Sequence, residues 1–217
     1  IAPTTSTRLN NTFNPAIGLI LVGTAARQMS SDDYSEPGFS QAEETGPYSE
    51  GFSLGESELN INSNIDDKFF GNLTLAIASD GSGTEVELEE AYIQTLALPG
   101  GFNMTAGRFF SGVGYLNGFH SHADDFTDRP IPYEVFLGGQ FKDDGIQFRW
   151  ILPTSHYVEL GGEWLRGDAF PAAGAAKHGS GTWTLFAETG GDFNLSNSWK
   201  IDLGYIMEMV EQIVDLS

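Results

Sequence analysis

Alternation with a period of two is the dominant pattern in this chain. Apolar and polar residues take turns through nine segments, near residues 14–27, 51–64, 69–79, 85–98, 102–111, 144–152, 156–166, 182–193 and 198–208. Successive side chains of a β-strand leave on opposite faces, so this period marks strands with two unlike faces. Few stretches repeat apolar residues at helical spacing. Most segments run about 9–14 residues, against about 5–6 for an ordinary globular strand. A tilted strand needs roughly 9–11 residues to cross a bilayer, and these segments match that length.

The connections sort by length. Residues 65–68, 99–101, 153–155 and 194–197 are short turns, whereas 28–50, 80–84, 110–143 and 167–181 are longer and polar, 80–84 being the shortest of them. Short turns at one end and long loops at the other predict an all-β, transmembrane, antiparallel up-and-down β-barrel. Its turns lie in the periplasm and its loops outside. A soluble meander has no reason to sort its loops this way. The expected organisation is a periplasmic segment over 1–13, a partial barrel over 14–208 and an irregular end over 209–217.

The two faces carry different residues. Trp183, Leu185 and Ala187 oppose Thr184, Glu188 and Asp192, while Trp199, Ile201, Leu203, Tyr205 and Met207 oppose Lys200, Asp202 and Gly204. Ile146, Phe148, Trp150 and Leu152 oppose Gln147 and Arg149, and Val158, Leu160 and Trp164 oppose Glu159 and Glu163. The alternation changes phase near Glu89 and Glu90, which predicts a bulge there. The first strand is apolar on both faces and fits least well. All four tryptophans fall on the apolar face. Trp164 and Trp183 lie toward the long loops, and Trp150 and Trp199 toward the short turns, the layout of two aromatic girdles. The rival reading is a soluble, secreted β-sandwich in which the same tryptophans face a second sheet.

Composition narrows the function. Thirty acidic residues stand against ten basic ones among 217, for a formal net charge of −20. A chain so acidic has no electrostatic footprint for nucleic acid. With no cysteine there is no disulfide framework, thiol nucleophile or cysteine-ligated metal. The apolar stretch 16–26 is too short for a membrane helix and has no basic region before it, so a secretory signal is expected to have been removed ahead of Ile1. Nucleotide-binding, hydrolase and zinc-protease motifs are absent, so no enzyme is expected. Paired acids such as Glu56/Glu58 and Glu159/Glu163 are what a polar barrel wall produces without any glycosidase chemistry.

Several short motifs carry a family resemblance. The segment 103–115 (NMTAGRFFSGVGY), followed by a long loop ending in Asp144-Gly145-Ile146-Gln147, resembles the phosphate-selective porin O and P superfamily of Gram-negative outer membranes. Residues 51–61 (GFSLGESELNI) and 89–95 (EEAYIQT) are similar to that family's early strands. The resemblance covers about residues 14–207. It implies a barrel of the sixteen-stranded type, often a homotrimer, whose third outer loop folds inward to narrow the pore. Nine strands make an odd count, so the chain is expected to be roughly the N-terminal half of such a barrel. The basic constriction of phosphate-selective members is missing, because loop 110–143 offers Arg129 and Lys142 among Asp124, Asp125, Asp128, Glu134 and Asp143.

Two residue sets are candidates for function. The polar face holds Glu56, Glu58, Glu87, Glu90, Glu159, Glu163, Glu188, Asp192 and Asp202, with Arg149 and Lys200 as its bases. A water-filled lumen so lined draws cations. The loop stretch 118–129 (GFHSHADDFTDR) supplies His120, His122, Asp124, Asp125, Asp128 and Arg129 as the expected constriction. His120 and His122 alternate, so on an extended segment both rings face one way, and with Asp124 they suit zinc or copper. The plainer reading of the same stretch is a loop packed inside the barrel through Phe119 and Phe126. The expected whole is a cation-favouring outer-membrane channel for small hydrophilic solutes. Its partner is the lipid bilayer, and it needs no resident cofactor. A metal-specific uptake channel or receptor is the second alternative.

Overall fold

The computed structural model of the chain describes residues 15–27, 50–80, 83–126, 129–172 and 181–208. The expected periplasmic segment, the acidic stretch 28–49, Asp128, residues 173–180 and the C-terminal end lie outside them. The described residues form eleven strands and one short α-helix: β1 (Ala16–Ile20), β2 (Gly23–Ala26), β3 (Gly51–Leu54), β4 (Ser57–Asn64), β5 (Phe69–Asp80), β6 (Gly83–Thr95), β7 (Phe102–Phe110), α1 (Ile131–Leu137), β8 (Lys142–Ile151), β9 (Tyr157–Leu165), β10 (Thr182–Asn194) and β11 (Asn197–Glu208).

Nine of these strands form one sheet in the order β1-β4-β5-β6-β7-β8-β9-β10-β11, and β2 pairs with β3 in a small ribbon. Every pairing is antiparallel. Each of the nine sequence segments contributes one strand to the sheet. Two segments, 14–27 and 51–64, are broken rather than continuous. Their breaks meet each other: Ser57 Oγ accepts from the Val22 N–H at 3.0 Å, and the Gly55 N–H donates to the Val22 carbonyl at 2.8 Å. The hydroxyl satisfies the backbone where the ladder is interrupted.

Turn chemistry fixes the meander. Asp66 Oδ1 accepts from the backbone N–H groups of Lys68 and Phe69, both at 2.8 Å, and so closes the β4–β5 turn. Asn194 does the same for Ser196 at 2.9 Å between β10 and β11. The β6–β7 turn needs positive φ at Gly100 (79°) and Gly101 (82°). A side chain on Gly101 would also run into the Ile151 carbonyl. The fourth predicted strand ends earlier than expected, at Thr95, where the Thr95 carbonyl accepts from the Asn103 side-chain amide and its hydroxyl accepts from the Met104 N–H in place of ladder bonds.

The expected bulge is present. Thr74 lies opposite Glu90 and Leu75 opposite Leu88, so Glu89 is the extra residue of β6. In an unbroken pleat Glu89 and Glu90 would point to opposite sides. Here both are buried.

The sheet is inverted relative to a water-soluble one. Its polar face is the covered face: Glu58, Thr74, Glu90, Gln147, Glu159, Glu163 and Thr184 are buried. Register places them in cross-strand rows, with Gln147 opposite Glu163, Glu163 opposite Thr184, and Glu188 opposite both Glu159 and Asp202. The apolar face is the open one. Val86, Phe148, Leu185, Tyr205 and Leu203 are exposed there, Leu203 by 70%. Ile20 of β1 breaks the rule, pairing with Glu58 on the polar side.

The connection between β7 and β8 covers the polar face. It contains two 3-10 turns, Tyr115–Gly118 and Ser121–Ala123, and then α1. At its root Phe109, Leu137, Phe141 and Leu165 form a small core. The loop reaches β4 through His122 and Glu58, and it reaches β11 through Val113, which occupies the space a side chain on Gly204 would take. Those two strands are seven places apart in the sheet. On a flat sheet that is roughly 34 Å at about 4.8 Å per strand. One loop touching both marks a sheet curled toward its polar side. The sheet is open, with β1 and β11 as its edges. Phe119 and Phe126 do not anchor the loop. Both are exposed, Phe126 by 82%, because Phe110, Val113, Leu137 and Phe141 fill the apolar space at its root. Among the described residues no second sheet packs on the apolar face, as a sandwich would require.

Candidate functional site

The bulge sets the centre of the site. It turns two successive carboxylates, Glu89 and Glu90, toward the loop, while β4 brings Glu58 alongside. The 3-10 turn Ser121–Ala123 aims the loop histidines at them. His120 Nδ1 lies 3.1 Å from Glu58 Oε1 and 3.2 Å from Glu89 Oε2, and its Nε2 lies 3.3 Å from Glu90 Oε2. His122 Nδ1 is 2.7 Å from Glu58 Oε1, and the two rings stack with centroids 5.7 Å apart. Burial opposes a charged imidazole at His120. Hydrogen bonds to Glu58, Glu89 and Glu90 outweigh it, and the His120 pKa is pushed up to about 12. Glu58, Glu89 and His120 each offer one ligand atom within 4.8 Å of the others, a set able to hold a metal ion.

A second anchor lies deeper. Glu163 of β9 accepts four hydrogen bonds: from Ser111 Oγ at 2.6 Å, from the Gly112 N–H at 2.7 Å, from Gln147 Nε2 at 2.7 Å and from Thr184 Oγ1. Two of these donors belong to the loop and two to the wall. The carboxylate therefore fastens one to the other. Phe186 packs beside it, filling the space left by Gly112 and Gly161.

The loop also holds its own shape. Asn117 is fully buried at its neck. Its amide donates to the Ser111 and Phe141 carbonyls at 2.8 Å each, and its oxygen accepts from the Phe141 N–H at 2.6 Å. Arg129 binds Asp124 at 2.7 Å and donates to the carbonyls of Gly139 and Phe119 at 3.0 and 2.6 Å. This clamp takes Asp124 out of the metal set expected with His120 and His122. Carboxylates from β4 and β6 stand in its place. Asp125 is exposed.

The polar-face residues fall where alternation put them. Lys142 pairs with Glu87 at 2.8 Å, Arg149 with Glu159 at 3.0 Å and Lys200 with Glu188 at 2.7 Å. Glu56 sits at the bend between β3 and β4, and Asp192 and Lys200 lie exposed near the short-turn end. Asp202 accepts from the Gly114 N–H, and Lys200 lies 4.8 Å over the Tyr115 ring, so the loop is fastened on this side too. Glu89, Ser111 and Asn117 are site residues the sequence reading missed. The phase change in β6 was the available signal for Glu89.

On the open face, Trp164 and Trp183 are direct cross-strand partners and stack at 5.0 Å. Phe102 stacks on Trp150 at 5.2 Å, and Phe193 lies 6.4 Å from Trp199, both near the short turns. Trp199 lies opposite Gly191, eight residues along β10 from Trp183. The two aromatic levels are therefore about 26 Å apart along the strand at about 3.3 Å per residue. Between them β8–β11 present no charged side chain on this face. Just beyond, at the long-loop end, Arg108 and Asp144 form a two-pronged ion pair at 2.8 and 3.2 Å.

No family model matches the chain. Over 118 residues it is 38% identical to a protein of Aquifex aeolicus (strain VF5) described as uncharacterized. The match takes in 54% of this chain and 24% of that relative, so the chain spans about a quarter of the relative's length.

Proposed function

We propose that this chain forms part of the wall of a porin-like outer-membrane β-barrel, a channel for small hydrophilic solutes that favours cations. The inverted sheet is the observation that carries this reading. In water, about 25 cal/mol per Å² of apolar surface favours hiding the face that here stays open. Lipid removes that penalty. The aromatic levels support the same solvent: about 26 Å along strands tilted by about 35–45° is a height of roughly 18–21 Å, which fits within the apolar band of about 25 Å that aromatic girdles flank in such barrels. The Arg108–Asp144 pair falls where headgroups begin.

The polar side would then line water. The loop fastened through Glu163, Asn117 and the His120–Glu58–Glu89 cluster narrows the passage, and the acids on the wall outnumber the bases. Oriented carboxylates on low-dielectric walls raise the local concentration of cations. The channel is passive in this reading and needs no cofactor. Reversal potentials in planar bilayers under a salt gradient test it: cation preference is expected, and anion preference refutes the assignment of the lumen.

A further inference from the structure

We propose that Glu58, Glu89, His120 and His122 bind a divalent transition-metal ion of the zinc class, which pins the inward loop to strands β4 and β6. The site does not rest on the channel reading. Zinc bonds of about 2.0–2.1 Å to nitrogen and oxygen put tetrahedral donors about 3.4 Å apart. His120 Nδ1 stands 3.1 and 3.2 Å from the Glu58 and Glu89 oxygens, already close to that edge. His122 Nδ1 lies 2.7 Å from the same Glu58 oxygen but outside the three-atom cluster, so its ring must swing inward on metal binding to supply the fourth donor.

The surroundings match a metal centre as well. A ligating histidine usually donates its other ring N–H to a carboxylate, which fixes its tautomer and orientation. Glu90 stands 3.3 Å from His120 Nε2 and does this. Two imidazoles with carboxylates select zinc or copper over calcium and magnesium, which prefer oxygen alone. Three carboxylates, Glu58, Glu89 and Glu90, meet at His120 in a largely buried place. A dication bound at His120 Nδ1 takes the place of the proton there, which passes to solvent, and meets the carboxylates directly. Both histidines keep some exposure, about a fifth to a quarter of each side chain, so an ion has a way in.

Calorimetric titration of Zn²⁺ into the tag-free chain, folded in detergent, tests the site. One saturable equivalent is expected. His120→Ala should abolish it, Glu89→Gln should weaken it at least about 100-fold, and Glu90→Gln should weaken it about 10- to 100-fold. Asp125→Asn should leave it unchanged. Lack of one-site uptake by the unaltered chain overturns the proposal. So does an isotherm unmoved by His120→Ala or Glu89→Gln, or one lost in Asp125→Asn. Glu90→Gln keeps shape and volume, so it serves where circular dichroism shows that His120→Ala has not folded. Zn²⁺ binding is read without conduction, so conductance with no Zn²⁺ site refutes this proposal alone, and a Zn²⁺ site without conductance refutes the channel alone.

Discussion

Glu163→Ala should free the loop from the wall. The carboxylate is 2% exposed and holds Ser111, Gly112, Gln147 and Thr184 at once. The two hydroxyls can rotate to other acceptors when it is gone. The Gly112 N–H and the Gln147 amide cannot move as freely, and each buried donor left unpaired costs about 1–3 kcal/mol. Loss of the two charge-assisted hydroxyl bonds as well brings the total to roughly 3–6 kcal/mol against loop docking. Glu163→Gln behaves differently. Its oxygen still accepts from Gly112 and Gln147, and its amide donates to the hydroxyls once they turn, so about 1–2 kcal/mol is lost. Hydrogen exchange of the Gly112 amide reads both. At about 1.4 kcal/mol per tenfold, exchange should speed up by roughly 10²- to 10⁴-fold in the alanine variant and about tenfold in the glutamine variant. The central amides of β9 and β10 should be unchanged. Equal exchange in wild type and Glu163→Ala would refute the anchoring role.

Other outcomes follow from the same geometry. Leu203→Arg, midway between the aromatic levels, should cost about 2–4 kcal/mol for folding into lipid vesicles, read by urea titration; a neutral or favourable effect contradicts a lipid-facing position. Gly161→Ala places a methyl group inside the Phe186 ring contact. It should cost about 1–3 kcal/mol in the same titration, and no loss would mean the contact is not tight. Asn117→Ala opens the loop neck at about 2–4 kcal/mol. Faster cleavage within residues 111–141 by added protease checks it, and unchanged cleavage speaks against a neck role.

The sheet was largely legible in the sequence because strand geometry repeats every two residues. Alternation located all nine strands, the two faces, the tryptophan levels and the slip at Glu89. It failed at β1, where Ile20 turns an apolar side chain to the polar face, and at the breaks after Ile20 and Leu54, which depend on Ser57 meeting Val22. The candidate site was legible only in part. His120 and His122 are conspicuous in the loop, but their partners stand 31 and 64 residues upstream, on β6 and β4. Which acids they meet depends on the curl of the sheet and the path of the loop. Neither is a local property. Asp124 looked like a ligand because it is near in sequence, yet Arg129 is nearer in space. Asn117 carries no signal at all, since a buried asparagine at a loop neck reads like any polar loop residue.

Spin-label accessibility along β11 tests the central claim most directly. The chain has no cysteine, so single cysteines at positions 199 to 207 can be labelled one at a time after folding into lipid vesicles. The inverted sheet predicts a period of two. Labels at 201, 203 and 205 should collide with oxygen dissolved in the hydrocarbon, and labels at 200 and 202 should be shielded from it on the polar side. Uniform access to a water-soluble relaxation agent at every position, with no alternation, would contradict a sheet that turns its apolar face to lipid.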